Sequence, residues 1–98
     1  MPQWMVTARN GSDDDVSARR AAARPAHIEN VTALAASGHI LVGGALLDGH
    51  GGPIGSVAIV DFPDRAALDV WLTTDPYATG HVWENIELLP VVVAVRAP

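Results

Sequence analysis

Two short segments concentrate the side chains that could do chemistry, Arg24-Pro25-Ala26-His27 and Asp75-Pro76-Tyr77. Together they supply a guanidinium, an imidazole, a carboxylate and a phenol in a chain that otherwise reads as an apolar scaffold, a combination that suggests an acid/base pocket. An imidazole ordinarily titrates near neutrality, so burial or a neighbouring carboxylate can set it as a general acid or base at working pH. A residue before proline is held extended, which makes Asp75 a rigid mount for a carboxylate that must point one way. Taken singly, the same residues have plainer uses. A histidine on an apolar helix face is commonly a satisfied core residue, and an aspartate before proline forms turns.

Three more side chains are candidates for binding a substrate. Arg24 lies one helical turn before His27, so in a continuous helix the two share a face and can meet one anion; a surface ion pair or helix-end contact is the other use. Ser56, after Gly55 at the start of a strand, offers a hydroxyl to substrate or to a neighbouring backbone group. Tyr77 either lines the pocket or anchors its loop through its ring. A metal site is not expected: His27, His39, His50 and His81 lack the short spacing that puts two ligands on one helix face, and there are no cysteines. Gly49 to Gly52 lacks the Lys-Ser/Thr and helix start of a phosphate loop. Trp4, Trp71 and Trp83 read as fillers of the core and of a dimer interface.

These groups must be positioned by regular elements, and the pattern alternates strand and helix. Trp4 to Ala8 reads as a strand that stops at Asn10-Gly11-Ser12. Asp13, Asp14 and Asp15 precede an alanine-rich helix, where carboxylates cap free amides and face the positive end of the dipole. Pro25 predicts a kink or two consecutive helices meeting near Arg24. Ile28, Val31, Leu34 and Ala35 then recur at helical spacing, His27 points along the same stripe, and Gly38 is a left-handed stop. His39 to Leu47 and Gly55 to Phe62 are strands joined by the glycine-rich loop 48–53. In the second of these, Val57, Ile59 and Asp61 share one face and Ser56, Ala58, Val60 and Phe62 the other. A helix starts at Pro63-Asp64 and carries Leu68, Trp71 and Leu72, and a last strand runs from His81 to Ala94 with Pro90 as a bend, edge position or bulge.

The order is βαββαβ, which predicts an α+β, ferredoxin-like fold: a four-stranded antiparallel sheet with both helices on one face. Ninety-eight residues suit one domain spanning 1–98 and one core. With 49% hydrophobic residues the chain has apolar surface to spare, so the open sheet face calls for a second copy, a homodimer forming a dimeric α/β barrel. A net charge of −5, with six cationic residues against eleven acidic ones, argues against nucleic acid as a partner. No run approaches the roughly 20 apolar residues of a membrane span, and the amino terminus lacks a signal-like pattern, so no membrane partner is expected. The absence of cysteine fits a cytoplasmic protein.

Arg24-Pro25-Ala26-His27-Ile28, Gly38, Gly43-Gly44, Gly55-Ser56, Trp71, Asp75-Pro76-Tyr77, Gly80 and Pro90 together resemble the YciI-like (YCII-related) family, whose members are of dimeric α+β barrel type and similar in architecture to muconolactone isomerases. The resemblance covers most of the chain from Arg24 onward. It implies a His-Asp pair in a pocket, with His27 and Asp75 as the catalytic dyad. It also implies chemistry of the kind done by its best-understood relatives, which eliminate chloride from oxidised aromatic rings or rearrange them. The expected function is a cofactor-independent enzyme of lyase or isomerase type, moving a proton on a small aromatic or lactone-like metabolite in an elimination, isomerisation or cyclisation. The competing readings are a non-catalytic small-molecule-binding or accessory dimer, and a purely structural His-Asp pair. Gly43-Gly44-Ala45-Leu46 departs from the Gly-Pro common in the family, and the loop through His50 varies among members, which leaves the substrate open.

Overall fold

A computed structural model describes residues 2–98. The elements are β1 (Gln3–Asn10), α1 (Val16–Ala36), β2 (Ile40–Leu47), β3 (Pro53–Asp61), α2 (Arg65–Thr74), the single turn α3 (Pro76–Thr79) and β4 (Trp83–Val91). The four strands form one sheet in the order β2-β3-β1-β4, with every neighbouring pair antiparallel. This is the expected ferredoxin-like arrangement with α3 added, in the place read from sequence as a loop. Pro76 opens that turn at a position where its missing N–H costs nothing. Pro90 lies in the edge strand β4, the part of a sheet that tolerates a residue with no ladder donor.

The register decides which side chains meet. Trp4, Val6 and Ala8 of β1 stand opposite Val60, Ala58 and Ser56 of β3, so all six share the helix side of the sheet. There Val6, Ala58, Val60 and Phe62 form one core with Leu68, Trp71 and Leu72 of α2, and Val31 and Leu34 of α1 pack against it. Fully burying a side chain such as Val60 or Leu68 contributes about 1.5–3 kcal/mol. On the opposite face Val42, Ile59, Met5 and Leu89 line up across all four strands. Val42 and Leu89 at the two ends of that row are 62% and 55% exposed, so this apolar face is uncovered.

Two local expectations are corrected. Pro25 does not divide the first helix, which runs unbroken from Val16 to Ala36. Pro25 and Ala21 both lie on the exposed side of α1, where water can satisfy the carbonyl that a proline leaves without a donor. Nor do the three aspartates cap α1 as expected, for Asp15 occupies the N-cap position with no side-chain cap bond. Asp13 instead accepts from the Asp15 amide and takes both terminal nitrogens of Arg19, at 2.6 and 2.8 Å. The hydrogen bonds from Arg19 hold the Asp13 carboxyl down at about 2. The caps read at Gly38 and Asp64 are present: Gly38 has φ +85°, and the Asp64 carboxylate accepts from the Ala67 amide at 2.8 Å.

β1 and β3 approach closely at Gly55, where a Cβ atom would sit 2.5 Å from the Ala8 carbonyl oxygen. Backbone cannot yield as a flexible side chain can. Gly55→Ala is therefore expected to lower unfolding free energy by about 1–3 kcal/mol in a urea melt. The control Gly49→Ala, with nothing within 4 Å of its added methyl, should stay within about 0.5 kcal/mol of the parent.

Candidate active site

The site is organised by Asp75. The proline after it holds it extended, at φ −58° and ψ 141°, so the chain leaves α2 at this residue and re-enters a helical turn at Pro76. Its carboxylate turns inward and is fully buried. Oδ1 accepts from the Tyr77 amide at 2.8 Å and from His27 Nδ1 at 2.6 Å, and Oδ2 accepts from Trp71 Nε1 at 3.0 Å and Asn30 Nδ2 at 3.1 Å. Burial pushes the Asp75 carboxyl up, but the hydrogen bonds from His27, Tyr77 and Asn30 and the charge of His27 together hold it below the ordinary 3.8. It is a carboxylate at neutral pH. As an acceptor with no proton of its own, it assigns the proton of the shared hydrogen bond to His27 Nδ1.

His27 sits on α1 with its side chain 12% exposed. Its ring stacks on Tyr77 at 3.7 Å between centroids and 15° between planes, and Trp83 meets it edge-on at 5.9 Å. With Nδ1 committed to Asp75, Nε2 carries the free lone pair, and it has no hydrogen-bond partner among the described residues. The imidazole lines a cavity of about 450 Å³ between α1 and the β2–β3 half of the sheet. Gly43, Gly44 and Ala45 of β2 also line it, and their lack of side-chain bulk leaves this half of the sheet unfilled while α2 packs the core.

Arg24, His27, Ser56 and Tyr77 all border this cavity, and Asp75 stands directly behind His27. Arg24 is at the exposed lip and forms no ion pair among the described residues. Ser56 Oγ accepts from Trp83 Nε1 at 3.2 Å and from Arg20 Nη2 at 3.4 Å, and so bonds to side chains rather than to backbone. Tyr77 is buried, joins a small core with Val16 and Val82, and also borders the cavity. The loop 48–53 supplies no lining residue; the Asp48 carboxylate ties it down through the His50 and Gly52 amides.

Sequence reasoning missed Arg20, Asn30 and the polar roles of Trp71 and Trp83. The signal for Arg20 was available. At about 100° per residue, a residue two turns before His27 lies within about 20° of its direction, whereas Arg24, one turn away, is about 60° off. Trp71 Nε1 and Trp83 Nε1 both find polar partners, in the buried Asp75 and the half-buried Ser56, a use that reading these rings as fillers does not foresee.

The sheet order, the helices on one side of it and the cavity beneath α1 define an α+β protein of ferredoxin-like type. Residues 3–92 match the YCII-related domain, and the chain belongs to that family. Protein YciI from Escherichia coli O6:H1 (strain CFT073) and its counterpart from Shigella flexneri are each 31% identical over 78 residues, covering 74% of this chain and 80% of theirs. Among solved structures, 5-chloro-2-hydroxyhydroquinone dehydrochlorinase from Burkholderia phenoliruptrix AC1100, in complex with 2,5-dihydroxybenzoquinone, superposes with a TM-score of 0.68. It shows 17% identity over 89% of this chain and 90% of its own. A dimeric ferredoxin-like protein from Jannaschia sp. CCS1 gives a TM-score of 0.52 at 14% identity over 95% of this chain and all of its own (100%). At such identities the likeness is one of fold.

Asp75→Asn puts an amide N–H₂ among four donors, and about 3–5 kcal/mol of stability should be lost at pH 7 in chemical denaturation. The sign of the pH dependence follows from the lowered Asp75 value in the folded chain. The contribution of the ionised group is complete above the unfolded value of 3.8 and is lost as pH falls through the folded one. The gap between wild type and Asp75→Asn should therefore close as melts are repeated towards pH 2, and a gap independent of pH would contradict this account.

Proposed function

We propose that this protein is a small enzyme, working without a cofactor, in which His27 moves a proton on a compact aromatic or lactone-like metabolite and Asp75 holds and charges the imidazole. One observation carries the reading: a buried carboxylate fixes Nδ1 at 2.6 Å and leaves Nε2 without a partner on an imidazole that lines a cavity of about 450 Å³. That volume lies within the usual range for small-molecule sites. In the reaction His27 Nε2 takes a proton from an acidic O–H or C–H of the substrate. The electron pair so released moves into the ring and either expels a leaving group on an adjacent carbon or is reprotonated elsewhere, giving elimination or isomerisation. The Asp75 carboxylate stabilises the imidazolium formed, which then returns its proton to the product or to water. Support comes from the family and from the shared fold of the dehydrochlorinase, whose named substrate is a chlorinated, hydroxylated ring.

The same proposal includes a homodimer joined through the uncovered sheet face. The row Val42, Ile59, Met5 and Leu89 is the apolar surface that a second copy would bury, and the Jannaschia protein of this fold is described as dimeric.

Two experiments test these statements. Screened against halogenated and hydroxylated hydroquinones and small lactones, the wild type should convert a member of the panel. His27→Gln should lower kcat by about 10²–10⁴-fold. A ligand that binds and is recovered unchanged would instead make the cavity a binding site, and full turnover by His27→Gln would remove the histidine from the mechanism. For the dimer, light scattering should give twice the chain mass for wild type and the single mass for Ile59→Asp, with circular dichroism unchanged; a monomeric wild type would end the dimer reading.

A further inference from the structure

The cavity changes character along its length. On α1 the charged and titratable lining ends at His27, and the lining residues that follow on the same face are Ile28, Val31, Thr32 and Ala35, three of them apolar. At about 1.5 Å per residue, α1 carries this lining about 12 Å beyond the imidazole. The strands repeat the division. Ala45 pairs with Ser56, and two residues along the ladder Gly43 pairs with Ala58, where the floor of the cavity presents no polar side chain. A space of about 150 Å³ holds a benzene-sized guest, so a cavity of about 450 Å³ is larger than one ring requires.

Gly43 keeps this far end open, and its backbone does not demand a glycine. It is not left-handed, as Gly38 is at φ +85°. A Cβ atom on it would meet the Val57 carbonyl oxygen at 3.4 Å, Ala58 Cβ at 3.6 Å and Ile40 Cγ2 at 3.9 Å, ordinary contacts quite unlike the 2.5 Å overlap at Gly55. A glycine inside a strand weakens it and packs nothing. Because its partner Ala58 faces the helices, a side chain at position 43 would grow into the gap beneath α1. The space in that gap is what the missing side chain provides. Ala35 and Gly43 are both exposed, so this end of the cavity is an apolar cleft open to an incoming group, and covering it removes apolar surface from water.

We propose that the ligand of this cavity is a small ring with an acidic proton that carries an apolar side chain. The ring lies at His27, the side chain lies in the cleft between Ala35 of α1 and Gly43 of β2, and Gly43 is the specificity-determining residue that admits it. The inference rests on the reading of the cavity as a ligand site and adds to the ring the substituent it carries.

The probes are phenol and its 4-ethyl, 4-propyl and 4-butyl derivatives, titrated calorimetrically into wild type, Gly43→Ala, Gly43→Val and Ala35→Leu at neutral pH. Affinity for wild type should rise about two- to fourfold with each added methylene, as apolar groups leave water. Gly43→Val should bind phenol as wild type does yet lose most of the gain from phenol to 4-butylphenol, and Gly43→Ala should lose part of it. Ala35→Leu fills the same end from α1 and should act as Gly43→Val does, so it carries the test if Gly43→Val does not fold. A glycine kept for space also predicts that Gly43→Ala melts no lower than wild type, whereas a glycine required by the backbone predicts a lower melting temperature with the chain-length dependence intact. Wild-type affinity for phenol that does not grow with chain length overturns the inference and leaves the cavity as a ligand site. A rise with chain length that Gly43→Val and Ala35→Leu leave unchanged overturns it too, because the alkyl groups then bind elsewhere. Failure of wild type to bind phenol or any derivative overturns both readings.

Discussion

One carboxylate holds three helices together. Asp75 is where α2 stops and α3 starts, and its two oxygens accept from α1 through His27 and Asn30, from α2 through Trp71 and from α3 through the Tyr77 amide. A buried carboxylate is tolerated only when its lone pairs are filled, and here four donors fill them. The direction of each donor is thereby set. The imidazole cannot turn without vacating a charge in a site closed to water, so the free nitrogen of His27 keeps a fixed aim. The same bonds that stabilise the helical layer also orient the imidazole.

The cavity exists because the sheet is filled unevenly. On the side of α2, Val60, Phe62, Leu68, Trp71 and Leu72 form a closed core. On the side of β2, glycine and alanine at positions 43 to 45 present too little bulk to meet α1, and the space goes unfilled. Its walls carry a buried pair of opposite character: the Asp75–His27 couple, whose charge is matched by donors, and Arg20, whose charge has only a hydroxyl, an amide oxygen and a ring face. The first is a finished structure in itself. The second has only neutral partners, and that asymmetry gives the cavity a positive pole on the same wall as the His27 imidazole.

Much of this architecture was legible in the residues. Period-two alternation in β3 placed Ala58 and Val60 on one face and Val57 and Ile59 on the other, because strand geometry leaves no other choice once one face is buried. Gly38 and Asp64 announced helix ends through chemistry confined to a few neighbouring residues. The failures came where local rules compete. Pro25 disrupts an isolated helix, but on an exposed face of a helix anchored by tertiary packing its single lost hydrogen bond is affordable to water. The acidic triplet was read as a cap because capping is the local use of aspartate, and the actual use of Asp13, a fork with Arg19, depends on which side of α1 faces the loop.

What the sequence determined alone was the order of elements, the faces of the strands and the rigid extended mount of Asp75 before Pro76, since each follows from covalent geometry and short-range sterics. Tertiary structure alone decided that Asp75 meets His27 from the far end of the chain, and that Trp71 and Asn30 complete its hydrogen bonds. It also decided that Arg20, not Arg24, is the buried cation of the cavity wall. Those outcomes depend on how α1 lies across the sheet and against α2 and α3. That placement is set by long-range packing of many side chains, not by spacing within any one segment.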